Sequence, residues 1–383
     1  MASEQIISII NERIPKYQKF LFDICNIEAT AYDKPEIDKM LDYISLFSQK
    51  EGFSVYRTNF KNCGDFLTVE MNEGNEKGAV LLAHTDTVHK KGSFGNPAVR
   101  LEGDRMIGPG TIDCKGGIAI ALLAMYALRK TGYSKHIRLL LTSDEEISNV
   151  LGGEDELKFF NDQSVGFPYA INCETSENNE VVISRRGLLR YEISVTGKGG
   201  HSGIHYFETK NPILECANKI VSLQNLSKKG GITYSCNIIN AGTAFNVIPD
   251  KYTFSVDVRI ATHNEMETAD KIVREIAKKS FIGDTTSEVT LKGKRLPMEF
   301  NDDTKELFQK LYEISNDYNL GKLIPVHSGG GSDSAYTQSA GVASICGVGG
   351  LGGYCHTNRE YIELDSIPKR AKLISLLLYK NQT

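Results

Sequence analysis

The run Val80-Leu-Leu-Ala-His84-Thr-Asp86-Thr-Val88 constrains the fold of this chain more than any other stretch. An unbroken apolar run reads as a strand buried on both faces, the pattern of a parallel sheet covered by helices. It ends on an imidazole, with a carboxylate two residues later, so the strand delivers polar groups to the rim of a sheet. Residues 136–142 and 169–173 are short apolar runs of the same buried type. Strands are expected at 53–60, 66–71 and 79–85, and helices at 4–26 and 35–51. A further helix is expected at 116–129, with Ile118, Ala121, Leu122, Met125 and Leu128 on one face. Strands alternating with helices point to an α/β fold of three layers around a mixed, mostly parallel sheet.

Further along, the pattern changes. Residues 189–197, 233–239 and 252–260 alternate as half-exposed antiparallel strands do. With 288–294 as a fourth strand and helices at 211–226 and 264–280, they make an α+β unit. The α/β style then returns: helix 304–319, a glycine turn at 328–331, helix 332–339, strand 343–348 and a last helix from Ser366. The simplest account is one domain, residues 1–186 and 296–383, interrupted by an inserted domain, residues 187–295. A length of 383 residues accommodates both.

Composition narrows the function classes. Apolar residues make up 40% and charged residues 24%, as in ordinary soluble proteins. The net charge is −4 and the basic residues are scattered, so neither a nucleic acid nor a membrane is expected as partner. The first residues lack a basic stretch followed by an apolar core, so no export leader is expected. No apolar run approaches the roughly 18 residues that span a bilayer. Eight cysteines, Cys25, Cys63, Cys114, Cys173, Cys216, Cys236, Cys346 and Cys355, are spread singly without a C-x-x-C. They are expected as free thiols in a reducing cytoplasm. Cys114, Cys173 and Cys355 adjoin candidate ligands, and apolar packing is favoured over thiolate ligation there.

His84-Thr-Asp86 has company. Downstream lie Gly110-Thr-Ile-Asp113-Cys-Lys-Gly-Gly117, Thr142-Ser-Asp-Glu145-Glu146, Asn172-Cys-Glu174-Thr and Gly353-Tyr-Cys-His356. Each alone has a bland reading, as a turn, a solvated charge pair or a loop histidine. Jointly they read as a two-metal hydrolase. Two metals about 3.5–4 Å apart need a shared ligand, and a carboxylate can bridge where an imidazole cannot. Asp113 is the best bridge, because the glycines after it allow close backbone approach. His84 and Glu174 would complete one metal, and Glu146 and His356 the other. The donor set suits zinc, two ions per chain, and would accept cobalt or manganese. Asp86 would accept the remaining N–H of His84 and fix its tautomer. Glu145 would be the general base and then the acid for the leaving amine.

These segments resemble the dinuclear zinc peptidase and amidohydrolase family of glutamate carboxypeptidase, succinyl-diaminopimelate desuccinylase, acetylornithine deacetylase and aminoacylase. The motifs are H-x-D-x-V at 84–88, G-x-x-D-x-K-G-G at 110–117, the Glu145-Glu146 pair and Glu174-Thr175. Gly197-Lys-Gly-Gly-His201-Ser-Gly resembles the family's lid-domain histidine motif. Asn246-Val-Ile-Pro-Asp250 and Ser255-Val-Asp-Val-Arg259 resemble its substrate-binding strand pair. Gly329-Gly-Gly-Ser-Asp333 and Gly352–His356 resemble its closing segments, nearest to the glutamate carboxypeptidase branch.

The resemblance implies a catalytic domain and an inserted lid that also dimerises, giving a homodimer. It implies that His201, from a neighbouring chain, stabilises the oxyanion with Asn246 alongside. Arg259 would face the substrate, Arg295 would grip its carboxylate, and Gly330 would line the substrate side. It also implies a cis Asp113–Cys114 peptide bond, and it associates Glu at 174 with carboxypeptidases and deacylases and Asp there with aminopeptidases. The resulting expectation is a cytoplasmic dizinc hydrolase acting on a small peptide or N-acyl amino acid. Metal-bound hydroxide would attack an amide beside a free carboxylate. An aminopeptidase or dipeptidase is the nearest alternative, and a non-catalytic binding protein on this fold a remote one.

Overall fold

In a computed structural model of the chain, residues 2–242 and 244–382 are described. The apolar runs form strands covered on both faces. Lys77–His84 is buried at every position after Lys77, and Phe66–Met71 at every position. They belong to a six-stranded sheet in the order Ser54–Thr58, Phe66–Met71, His136–Thr142, Lys77–His84, Tyr169–Asn172, Ala343–Ile345. The first two pairings are antiparallel and the last three parallel, so the sheet is mixed and mostly parallel, as expected.

The two faces of this sheet bury different partners, because successive side chains alternate across a strand. Leu67, Val69, Leu81, Leu139 and Ile171 share a core with helices Ala2–Cys25, Lys115–Lys130 and Ser366–Lys380. On the other face Phe66 meets Phe159 of helix Gly153–Ser164 edge-on, with ring centroids 5.2 Å apart. Phe160 in turn stacks on Tyr336 of helix Ser334–Ser339 at 5.1 Å.

The helix at 115–130 corrects one expectation. It is buried from Lys115 to Leu128 all the way round, not along a single face. Its position between the two other helices and the sheet explains this, and its alanines and glycines permit it. A small four-stranded sheet escaped the sequence reading: Gly352–Gly353, Tyr361–Glu363, Arg105–Ile107 and Arg100–Glu102. These strands are too short to show a period.

By internal packing the chain divides into two units. One comprises residues 1–184, 300–328 and 332–383, and the other residues 185–299 with the triglycine 329–331. The second unit has an antiparallel sheet ordered Thr233–Asn240, Lys251–Ile260, Gly187–Thr196, Thr286–Arg295. Lys251–Ile260 alternates strictly, burying Tyr252, Phe254, Val256, Val258 and Ile260. These pack under helices Pro212–Gln224 and His263–Lys278. Asn211 caps the first helix by accepting the N–H of Ile213 at 2.9 Å, so Pro212 is its first residue. No helix among the described residues is long and apolar enough to cross a membrane.

Candidate metal centre

Three neighbouring parallel strands end at one edge of the large sheet. His84 pairs with Thr142, and Leu82 with Asn172. The residues just past those ends, Glu145-Glu146 and Glu174, therefore share an edge with His84, where open α/β sheets carry their sites. Asp113 comes from the turn before helix Lys115–Lys130. That turn packs closely on the segment before Glu174. A Cβ at Gly117 would lie 2.0 Å from the Cys173 carbonyl oxygen, and one at Gly349 would lie 2.1 Å from it. Only glycine permits that approach. The Asp113–Cys114 peptide bond is cis. His356 sits in a turn closed by Thr357 N–H on Tyr354 O at 3.1 Å, with φ of +63°. That left-handed conformation is uncommon outside glycine.

The side chains converge on Asp113. His84 Nε2 lies 3.1 Å from Asp113 Oδ1 and 3.7 Å from Glu174 Oε1. His356 Nε2 lies 3.3 Å from Asp113 Oδ2 and 3.3 Å from Glu146 Oε2. Each oxygen of Asp113 thus faces a different imidazole, and each imidazole has a second carboxylate. Two donors on one tetrahedral zinc, each about 2.0–2.1 Å from it, lie about 3.3 Å apart. The spacing fits a pair of divalent ions. His84, Asp113 and Glu174 could hold one, and Asp113, Glu146 and His356 the other.

The charges are strongly coupled. Burial pushes Glu146 up to about 7, against its hydrogen bond to His356 and reinforced by the charge on Asp113. Burial acts on Asp113 in the same direction, but hydrogen bonds from His356 and His84 outweigh it and hold the carboxyl well below its usual range. Hydrogen bonds to Asp113 and Glu146 raise His356 to about 10. Clustered carboxylates that need imidazolium partners make a fitting cage for hard or borderline cations.

Asp86 joins two ligand segments. Its Oδ1 lies 3.3 Å from His84 Nδ1, where its own carbonyl oxygen is closer still, at 3.1 Å. Its Oδ2 accepts the backbone N–H of Glu146 at 3.0 Å, a contact across 60 residues that the sequence did not reveal. Glu145 is buried at the head of the short helical turn Glu145–Ile147. All eight cysteines are free. Cys114 Sγ donates to Cys173 O at 3.1 Å, yet it also lies within 4.8 Å of donor atoms of His84 and Glu174.

A family model described as Peptidase family M20/M25/M40 matches residues 80–380. The chain belongs to this peptidase family. It is therefore a hydrolase of a metallopeptidase family. Carboxypeptidase G2 of Pseudomonas sp. (strain RS-16) is 26% identical over 372 residues, covering 95% of this chain and 89% of that protein. Succinyl-diaminopimelate desuccinylase of Rickettsia akari (strain Hartford) is 28% identical over 291 residues, covering 69% and 74%. The crystal structure of aminopeptidase PepT from Bacillus cereus ATCC 10987 superposes with a TM-score of 0.79 at 17% identity, covering 95% and 98%. That likeness establishes the M20 fold.

In the second unit of this M20 chain, His201 and Asn246 meet across the short strand pair Gly200–His201 and Val247–Ile248. His201 Nδ1 accepts the N–H of Gly203 at 3.2 Å, and Asn246 Nδ2 lies 3.4 Å from Nε2. Arg259 is committed to Asp257, with Nε on Oδ1 at 2.6 Å and Nη2 on Oδ2 at 3.3 Å. Its Nη1 reaches Gly329 O at 3.5 Å. Arg295 is buried against Gly331, where a Cβ would come within 2.6 Å of its Cδ. Arg185, which sequence reasoning missed, donates to Gly331 O at 3.0 Å. Three guanidinium groups thus surround the loop that contains Gly330. The Arg185-Arg186-Gly187 doublet before a strand was the available signal.

Proposed function

We propose that this M20 peptidase cleaves an amide bond next to a free carboxylate, as a glutamate-carboxypeptidase-like exopeptidase or an N-acyl-amino-acid amidohydrolase. The observation that carries the reading is Asp113, whose two oxygens face His84 and His356 separately. Two divalent ions, zinc with cobalt or manganese as substitutes, would polarise the scissile carbonyl and acidify water there. His84 and Glu174 would hold one, Glu146 and His356 the other, with Asp113 shared. Asp86 would orient His84. Glu145 would take the proton of the attacking water and pass it to the leaving amine. His201 would donate a hydrogen bond to the carbonyl oxygen as charge gathers there, with Asn246 beside it.

Recognition of a carboxylate is supported by the arginines around Gly329–Gly331 and by relatives named as a carboxypeptidase and a desuccinylase. An aminopeptidase or dipeptidase is the second reading. The pairing of Arg259 with Asp257 favours it, because a substrate carboxylate would have to compete with that bond. The test compares kcat/KM for one substrate and its C-terminal amide, in wild type, Arg259→Ala and Arg295→Ala. Wild type should prefer the acid, and loss of a desolvated charge pair should cost about 2–5 kcal/mol in at least one variant. Equal cleavage of acid and amide by wild type would put the aminopeptidase reading ahead. A preference that survives both substitutions would leave the reaction class standing and remove these arginines from it.

A further inference from the structure

We infer that Glu360 is a positioning residue for Asp113, and that His89 holds Glu360 in that role; the inference rests on the two-metal reading proposed above. Glu360 is fully buried and contributes no atom to the ligand cluster. Its Oε1 accepts two successive backbone N–H groups, from Ile112 at 3.0 Å and from Asp113 at 3.1 Å. Its Oε2 lies 2.5 Å from Nε2 of the buried His89, 271 residues away in sequence. The backbone of Glu360 is tied in as well. Its carbonyl accepts Gly108 N–H at 3.2 Å, and its N–H donates to Thr357 O at 3.1 Å. The His89 ring is held edge-on by Phe94, with centroids 4.9 Å apart.

The three segments so joined are those that carry His84, Asp113 and His356. A peptide unit is planar, so fixing the Asp113 N–H fixes the plane from which its Cα–Cβ bond departs. Asp113 must present one oxygen to His84 and the other to His356. A small rotation of that plane would detune both contacts together. An ionised acceptor bonds N–H groups about twice as strongly as a neutral one. Oε2 cannot be left bare in the interior, and His89 supplies its donor. A merely structural Glu360 would affect stability alone, whereas a positioning Glu360 affects how the site holds its ions.

The experiment uses the full-length, metal-free protein titrated with cobalt(II). It reads the number of ions per chain, their affinity and the visible absorption of the bound cobalt, and the melting temperature of the metal-free form reports the fold. Wild type should bind two ions. Glu360→Ala should lose about 10–100-fold in affinity and show altered cobalt bands, the usual cost of removing a group that orients metal ligands. Glu360→Gln keeps an oxygen for both N–H groups and should recover most of the affinity. Glu360→Ala with wild-type affinity and spectrum would overturn the inference, as would Glu360→Gln performing no better than Glu360→Ala. If Glu360→Ala does not fold, His89→Leu decides: weakened binding with shifted bands supports the inference, and wild-type behaviour overturns it. Fewer than two ions on wild type would bring down the two-metal reading and this inference with it.

Discussion

Glu145 and Glu146 are identical side chains with different surroundings. Glu146 has its N–H fixed by Asp86 and its carboxylate 3.3 Å from His356. Glu145 is buried one residue earlier, at the start of the turn. If Glu145 moves the proton, Glu145→Gln should bind metal as wild type does while kcat falls about 10²–10⁴-fold. A near-native kcat with full metal loading would move the general base elsewhere. His84, Glu146 and Glu174 were legible from the sequence because each ends or follows an apolar run, and Asp113 and His356 through the motifs around them. The contacts that orient them were not, since Asp86–Glu146 and His89–Glu360 join distant segments. The Arg259–Asp257 pair was legible and overlooked: residues two apart on a strand share a face.

Helix Gly153–Ser164 shows why some elements hide. It opens on glycines, carries few apolar residues and buries an acid, Glu156, on its packed side. Glu156 accepts from Asn149, which also donates to Asp333 Oδ1 at 3.2 Å. Among the described residues, its Oε2 and Asp144 Oδ1 are both buried without a donor, an arrangement of two carboxyls that favours a shared proton. Burial, reinforced by Asp144, raises Glu156 well above its ordinary value of 4.5. The folded chain therefore keeps a proton that the unfolded chain releases above about pH 4.5. Stability from this group is complete below that pH and is lost as pH rises toward the folded value. Glu156→Gln keeps the bond from Asn149 and can donate to Asp144 without a proton. It should match wild type near pH 4 and melt about 1–2 °C higher at pH 8, on the order of 1 kcal/mol. An identical difference at both pH values would exclude the shared proton. Strands Phe66–Met71 and His136–Thr142 coincide with their sequence expectations, because long buried runs announce themselves.

At the scale of the molecule, the second unit has an uncovered apolar edge. Ile238 and Ile239 on the edge strand Thr233–Asn240 are 57% and 51% exposed. Leu214 and Val221, two turns apart on helix Pro212–Gln224, are also exposed. A bare strand edge with apolar side chains invites pairing. We propose a homodimer through this edge, so Ile238→Asp/Ile239→Asp should give a monomer by light scattering with an unchanged far-UV circular dichroism spectrum. A dimer that survives the double change would place the interface elsewhere. If His201 serves the partner's site, mixing His201→Ala with Glu145→Gln subunits should restore part of the activity. No recovery despite verified exchange would confine His201 to its own chain. The triglycine 329–331 packs with the second unit, although the segments on both sides of it belong to the first. The polypeptide consequently passes between the units at four junctions, not two. Transplanting Arg185–Glu299 from a relative as a single cassette would import arginines without the carbonyls they bind. Recombination, natural or engineered, must carry two pieces at once for either to arrive in working order.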